Sequence, residues 1–359
     1  MAGLRASQRR GASLLAPEVI QSSAMDCGPA VLQCLLRGFG IPAHYGRLRE
    51  VCQTDVDGTS ITTLEEVACE LGLDAEQVLV PEDHLVLPAA ENLPAVVVVL
   101  VPPGITHFVV VWRRHGRWLQ VMDPASGRHW ITERQFLRRL YRYTHSVPAA
   151  GWREWAGSDE LLEPLAERLA ALGASDDARQ RLVAAATVDP DWASLAALDA
   201  AVRLTEVLAS SRAVARGRRA VRLVDELFQR AAAAPRAEEL AVPPEFWSVR
   251  PDPDSPADAP HLRLRGALLV RARGRREGAR ADAGAAEAGV RHLTPEVAAE
   301  LIRPEPGPWR QLWQLLRGSR QTGSRWAPLA AGATVVGAAP TGGVEARRRN
   351  AIPDRGALD

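Results

Sequence analysis

The sequence predicts an α+β fold for the first part of the chain, followed by a mainly helical domain and a partly disordered tail. Residues 16–150 alternate short helical patterns with β-rich runs. From about Trp152 onward, alanine, arginine and leucine recur with helical periodicity. Beyond residue 250, a stretch rich in proline and aspartate and a tract of only a few residue types interrupt this pattern.

These changes of composition divide the chain into five segments. They are a flexible arm at 1–15, an α+β domain at 16–150, a helical domain of unassigned role at 151–249, a segment with a linker, a short strand (261–274) and a low-complexity tract at 250–308, and an amphipathic helix with an apolar tail at 309–359. The apolar stretch 327–339 has 13 residues. A helix needs about 20 residues to span a bilayer, so this stretch does not span a membrane by itself.

Composition excludes several classes of function. The formal net charge is +1, from 44 basic and 43 acidic residues, so bulk charge does not favour binding to nucleic acid. All the basic residues are arginine, which excludes a phosphate-binding P-loop lysine and Schiff-base chemistry. No motif for a cofactor or a metal is present, and the N-terminus lacks an apolar run of signal-peptide length. We therefore expect a protein of the cytoplasm with reduced cysteines.

The stretch QSSAMDCGPA (21–30) places a cysteine where a reactive thiol is expected. Val31, Cys34 and Leu35 follow Cys27 at helical spacing, and Pro29 suits a first helical turn. Cys27 is therefore predicted at the N-terminus of a helix, where unpaired N–H groups and the helix dipole stabilise a thiolate. A single cysteine at such a position is more often a core residue, so the assignment depends on a partner base.

Three β-rich runs supply a candidate base and a candidate carboxylate. The runs are AVVVVLV (95–101), HFVVVW (107–112) and WLQVMD (118–123). The loop 113–117 contains Gly116 and predicts a hairpin between the second and third runs. If the hairpin is centred on His115, His107 lies directly opposite Asp123. We expect His107 to act as general base, Asp123 to orient it, and Gln21 to help form an oxyanion hole with the backbone N–H of Cys27. Cys34, Cys52 and Cys69 are expected to be core thiols.

Taken together, VIQSSAMDCGPAVLQCLL, GTSITTLEEVACELGL, THFVVVW and VMDPASG resemble a known family. It is the papain-like cysteine peptidase domain at the N-terminus of bacteriocin and peptide exporters, which removes double-glycine leader peptides. The resemblance covers residues 16 to about 146. It implies a papain-like fold with N-terminal helices packed on an antiparallel sheet. It also implies that Cys27 is the nucleophile, His107 the base, Asp123 the orienting residue and Gln21 an oxyanion-hole residue.

The resemblance further implies a cysteine endopeptidase without a cofactor. Its expected partners are a double-glycine leader precursor and an ABC-type transporter with membrane subunit and ATPase, at the inner face of the cell membrane. Exporters of this family continue into six membrane helices and an ATPase, which this sequence does not contain. Three alternatives stay open. They are a peptide-docking module that does not hydrolyse its ligand, a truncated fragment of an exporter, and a papain-like acyl transferase.

Overall fold

A computed structural model of the chain describes residues 12–52, 58–233, 241–256 and 260–276, all within the compact unit Met1–Glu305. The predicted flexible arm lies largely outside the described residues, as do the low-complexity tract and the segment 309–359 with its amphipathic helix and apolar tail. Among the residues described, no helix is both long enough and apolar enough to cross a membrane. The α+β architecture predicted for the first part of the chain is confirmed.

Three helices precede the sheet: α1 at Cys27–Gly38, α2 at Tyr45–Val51 and α3 at Ile61–Glu70. The first helix is buried along most of its length, because residues 28–36 are apolar on every side apart from Gln33, which donates a hydrogen bond to the carbonyl of Ala43. It packs against one face of the sheet. A Cβ at Gly38 would lie 2.0 Å from Cη2 of Trp112, so only glycine permits this close approach.

Eight strands of the described residues form one antiparallel sheet. In chain order they are β1 (Leu73–Val80), β2 (Ala95–Val101), β3 (Ile105–His115), β4 (Trp118–Asp123), β5 (Gly127–Thr132), β6 (Tyr143–Pro148), β7 (Val249–Pro251) and β8 (His261–Arg275). The spatial order is β1-β8-β2-β3-β4-β5, and β6 and β7 also pair with β8. The apolar side chains of β2 and β3 alternate between two cores, one beneath α1 to α3 and one on the opposite face.

Strand β8 has a position that the predicted segment boundaries do not anticipate. From composition, this strand falls in the segment 250–308, outside the predicted α+β domain. In the structure, residues 267–275 pair with β1, while Val96 and Val97 of β2 pair with the same strand from its other side. Residues 261–266 pair with β6. The strand is therefore central to the sheet, because without it β1 and β2 have no common neighbour.

The helices after β5 are α4 (Glu133–Arg139), α5 (Ala149–Ala156), α6 (Asp159–Ala171), α7 (Asp176–Val188), α8 (Ala193–Ser210) and α9 (Arg218–Ala233). The last five of these occupy the segment predicted to be helical. They form a further core together with residues of β7 and β8, with Trp192 and Phe228 among its buried members. They lie in sequence between β6 and β7. The chain therefore leaves the sheet after β6, forms these helices, and returns to the sheet at β7.

Candidate active site

Cys27 is the first residue of α1 and is partly exposed, whereas nearly all of the helix after it is buried. The residue after Cys27 allows close packing at the start of this helix. A Cβ at Gly28 would lie 2.7 Å from Cβ of Thr59, so glycine lets the segment before α3 pack against the start of α1. The helix start predicted for Cys27 is observed.

His107 and Asp123 are in contact, although the predicted register of their hairpin is wrong. His107 Nε2 lies 2.8 Å from Asp123 Oδ1. The hairpin turns through two residues, with His115 opposite Trp118, rather than through a five-residue loop. Gly116 adopts φ +56 in this turn, a conformation that two-residue hairpin turns require.

A β-bulge then changes the register along the same two strands. The pairing shifts at Trp112, so that Val110 lies opposite Met122. Continued by one residue, this register puts Val109 across from Asp123. Asp123 is therefore diagonal to His107, because it lies opposite the residue two positions further along β3. An aromatic ring such as imidazole can still reach a side chain at that diagonal position. The contact forms through side-chain reach and not through the direct pairing that was predicted.

The electrostatics of this pair favour an imidazolium beside a carboxylate. Burial opposes the charge on His107, but hydrogen bonds with Asp123 and Cys27 outweigh it and raise the pKa of His107 to about 9. Burial also opposes ionisation of Asp123. The hydrogen bonds from His107 and from the N–H of Ala125 nevertheless hold the pKa of that carboxyl below its usual value. At neutral pH the pair is charged on both sides.

His107 also connects the hairpin to Cys27. The thiol of Cys27 interacts with the imidazole of His107 and helps to raise its pKa. Since Nε2 faces Asp123, Nδ1 is the ring nitrogen left for the thiol. The thiol, the imidazole and the carboxylate therefore form one connected series, supplied by α1, β3 and β4. Such a series is the arrangement that activates a nucleophile.

Gln21 lies beside the same end of the hairpin. Its backbone N–H donates to the carbonyl of Pro124, the residue after Asp123, at 2.9 Å. Its side-chain Oε1 is buried and has no hydrogen-bond partner among the described residues. Rotation of the amide by 180° exchanges its oxygen and its NH2 group, so this buried end can offer a donor to a substrate.

Two further residues lie next to the site and were given no role from the sequence. Asp26, immediately before Cys27, is fully buried and its carboxylate contacts Ser22 Oγ at 2.6 Å and Arg49 Nε at 2.9 Å. The acid next to the cysteine is visible in the sequence. Its partner Arg49 is not, because it lies 23 positions away on α2.

The other cysteines lie outside this arrangement. Cys34 and Cys52 are buried, and burial raises the pKa of the Cys52 thiol to about 12 and that of Cys34 still higher. Cys69 is partly buried, and its Sγ donates to the carbonyl of Ala75 at 3.2 Å. Cys34 and Cys52 are core thiols, as predicted. The described residues contain no group of three or more His, Cys, Asp or Glu side chains that could hold a metal ion.

Comparison with known proteins gives a family match. A model of the peptidase C39 family matches residues 16–145. The lactococcin-G-processing and transport ATP-binding protein LagD of Lactococcus lactis subsp. lactis is 30% identical over 110 residues, which are 31% of this chain and 16% of LagD. An uncharacterized protein of Methanothermobacter thermautotrophicus is 32% identical over 124 residues, 34% of this chain and 81% of that protein. The transport/processing protein ComA of Streptococcus pneumoniae is 30% identical over 107 residues, 15% of its length.

Two solved structures resemble the same part of the chain. One is the peptidase domain of Streptococcus ComA, with 24% identity and a TM-score of 0.33, covering 35% of this chain and 92% of that one. The other is a double-glycine-motif protease from an AMS/PCAT transporter in complex with the leader peptide, with 25% identity and a TM-score of 0.32. It covers 36% of this chain and 89% of that one. The chain spans less than a fifth of the exporter relatives LagD and ComA.

Proposed function

The chain belongs, through residues 16–145, to the peptidase C39 family, and from this premise we propose that it is a cysteine endopeptidase that cleaves leader peptides after a double-glycine-type motif. The observation that carries the proposal is the hydrogen bond of 2.8 Å between His107 and Asp123, together with the interaction of the same imidazole with Cys27. A buried imidazole held between a thiol and a carboxylate has a chemical role that a core histidine does not need.

The reaction follows from this geometry. The thiolate of Cys27 attacks the carbonyl carbon of the scissile peptide bond while His107 is protonated. The oxyanion that forms receives hydrogen bonds from the backbone N–H of Cys27 and the side-chain amide of Gln21. His107 then gives its proton to the leaving amine, which departs with the C-terminal part of the peptide. The N-terminal part remains bound to Cys27 as a thioester. His107 next takes a proton from water, and the resulting hydroxide attacks the thioester carbonyl, so that the C–S bond breaks, the N-terminal part leaves as a free carboxylate and the Cys27 thiolate is restored.

Asp123 acts on the base and not on the substrate. Its carboxylate holds Nε2 of His107, so that Nδ1 keeps facing Cys27 through both proton transfers. It also stabilises the imidazolium, as an orienting carboxylate does in other nucleophilic hydrolases.

The substrate class is proposed from the named relatives together with the surface around the site. The solved double-glycine-motif protease is in complex with a leader peptide, and LagD and ComA are named as processing and transport proteins. In this chain, exposed apolar side chains occur close in sequence to the site residues, namely Ile20, Met25 and Ile105. They offer apolar contacts to a peptide that enters the site. A precursor peptide and an ABC-type exporter are accordingly the proposed partners, with cleavage in the cytoplasm at the exporter.

The decisive experiment compares the wild type with Cys27→Ala on synthetic double-glycine leader peptides. We expect wild-type protein to release a leader that ends in a free carboxyl group, and Cys27→Ala to lower the rate by about 10³-fold or more. Mass spectrometry identifies the product, since transfer to an amine in place of water gives a different mass. Cys69→Ala is the matched control, because Cys69 is also partly exposed but lies outside the site.

Two results would contradict the proposal. In the first, folded wild-type protein neither cleaves a panel of such leaders nor reacts with a thiol-directed peptide aldehyde. In the second, leader binding is the same in the wild type and in Cys27→Ala, and neither protein turns the peptide over. That outcome would identify a docking module in which the thiol has no function.

A further inference from the structure

We propose that Arg49 is a positioning residue that acts through Asp26, keeping the negative charge of Asp26 away from the start of α1 so that the thiolate of Cys27 is the anion stabilised there. The inference rests on the proposed function, since it concerns the reactivity of the same thiol. It assigns a role to a side chain on α2 that belongs to neither the thiol, imidazole and carboxylate series nor the oxyanion hole.

The first support is the position of Asp26 at the start of α1. Asp26 occupies the N-cap position of that helix, where an aspartate side chain usually accepts a hydrogen bond from the N–H of the second or third helical residue. Here its side chain makes no such bond. The third helical residue is Pro29, which has no N–H, and the first turn contains no acidic side chain. The positive end of the helix is therefore not capped by the Asp26 side chain, and no acidic side chain lies in its first turn.

The second support is where the Asp26 carboxylate goes instead. Ser22 Oγ donates to one oxygen at 2.6 Å and Arg49 Nε donates to the other at 2.9 Å. Burial by itself opposes ionisation of Asp26, but the hydrogen bonds from Ser22 and Ser23 and the charge of Arg49 hold its pKa below the usual value. Asp26 is therefore a carboxylate, and Arg49 is the cation that compensates it.

The third support is that α2 also holds the loop between Gln21 and Cys27 at Ser22. The N–H of Ser22 donates to the hydroxyl of Tyr45 at 3.2 Å, one turn before Arg49 on the same helix. At the loop's start, the N–H of Gln21 is bonded to the carbonyl of Pro124. The Asp26 side chain is thus held on the α2 side of the loop, away from the N–H groups of α1.

Among the described residues, the charged and titratable groups connected with Cys27 and Asp26 lie in the loop before α1, on α2, on β3 and on β4. Asp26 precedes α1, Tyr45 and Arg49 lie on α2, His107 on β3 and Asp123 on β4. Among these, Arg49 is the group whose loss would leave a second anion uncompensated one residue from the thiol. An uncompensated like charge near the thiol disfavours the thiolate. The pair formed by His107 and Asp123 would not be changed by the loss of Arg49.

The test measures the reaction of iodoacetamide with Cys27 in the full chain as a function of pH. Cys27 and Cys34 fall in one tryptic peptide, so fragment ions assign the label. We expect Arg49→Met to move the pH profile of Cys27 labelling upward by about one pH unit, which slows labelling about tenfold on the acidic limb of that profile. Adding Asp26→Asn to Arg49→Met removes the uncompensated anion and should return the rate to within about threefold of the wild type. Arg49→Lys keeps the cation and should lose less than Arg49→Met.

The matched control is Arg47→Met, which lies on the same helix and is paired with Glu50 and not with Asp26. It should leave the labelling rate unchanged. Circular dichroism and the labelling of buried Cys34 check the fold of each variant. If Arg49→Met does not fold, Asp26→Asn alone decides the matter, since it removes the anion and keeps Arg49. The inference then requires that Asp26→Asn react no more slowly than the wild type.

Three results would overturn the inference. They are a wild-type rate in folded Arg49→Met, a double variant that reacts as slowly as Arg49→Met, and a tenfold loss in Asp26→Asn. A purely structural contact predicts the second result, because the double variant lacks both partners. Labelling needs no peptide substrate, so the expected pattern in a protein that cleaves no leader would support this inference while contradicting the proposed function.

Discussion

The pKa of His107 depends on burial and on two neighbouring side chains, which act in opposite directions. Burial disfavours the imidazolium, while Asp123 and Cys27 favour it strongly enough to raise the pKa of His107 to about 9. The ring is therefore protonated at neutral pH and has a proton to give to a leaving amine. Cleavage should accordingly decline as the pH rises through about 9 and this proton is lost.

The same shift predicts how stability depends on pH. The pKa of His107 is about 9 in the folded protein against 6.5 for an ordinary histidine, so the folded state holds the proton more tightly. Its contribution is complete below pH 6.5 and is lost as the pH rises through about 9. We expect the free energy of unfolding of the wild type, relative to His107→Gln, to fall by roughly 2–3 kcal/mol across this interval.

Denaturant titrations at several pH values measure this difference. His145→Gln, which removes an exposed histidine on β6, is the control and should leave the pH dependence of the wild type unchanged. A difference between the wild type and His107→Gln that stays constant from pH 6 to pH 10 would mean that the ion pair with Asp123 does not stabilise the fold.

At the scale of elements, the packing of α1 on β3 decides where Cys27 meets His107. The bulge at Trp112 leaves Val110 and Trp112 facing the helix and Val109 and Val111 facing the opposite core. The Trp112 indole then lies against Gly38 at the far end of α1, and its Nε1–H donates to the carbonyl of Ser13 at 3.0 Å. One end of the helix thus contacts this side chain, while the other end carries the thiol.

A single methyl group should test this contact. In Gly38→Ala the new Cβ would lie 2.0 Å from the Trp112 ring, so the helix or the indole must move. We expect a loss of about 1–3 kcal/mol in the free energy of unfolding, as for other overpacked cores. Gly151→Ala is the matched control, since Gly151 is also helical and no atom lies within 4 Å of its added Cβ. Better helix propensity should make that variant neutral or up to about 1 kcal/mol more stable. Equal stability of the two variants in urea titrations would exclude close packing at Gly38.

At the scale of the whole molecule, the sheet is completed by a strand that returns after the helical segment. Arg271 of β8 is buried and makes hydrogen bonds with Glu76 on β1, Asn92 before β2 and Glu160 on α6. A second buried arginine, Arg168 on α6, is paired with acidic side chains of the loop after β1 and of α8. These contacts join the helical layer to the sheet. The two arginines are buried and paired with acidic side chains, and removing one partner of such a pair is costly.

This topology predicts the result of truncation. A fragment of residues 12–150 contains the whole family match but lacks β8, so β1 loses its only partner strand among those described and β2 gains an open edge. We expect it to show no cooperative thermal transition by circular dichroism. The control fragment 12–276 retains β8 and should unfold cooperatively. A cooperative transition of 12–150 at the same temperature as 12–276 would show that β8 is dispensable for the fold.

The sequence by itself determined most of the local elements and predicted the residues of the candidate site. Local periodicity predicted the helix that begins at Cys27, the strands on either side of Gly116 and the helical segment after residue 150, because these patterns depend on neighbours a few positions apart. The types and order of Cys27, His107 and Asp123 likewise pointed to one kind of reaction before any distance was known.

Only the tertiary structure decided the register and the long-range partners. The two-residue turn and the bulge at Trp112 set the register of β3 and β4. The Trp112 indole lies against Gly38, more than seventy positions earlier, and no local pattern contains that contact. The same holds for Arg49 on Asp26 and for β8 between β1 and β2. Side chains and strands that meet across a core are selected by the shape and charge of what they pack against, and that information is spread over the whole chain.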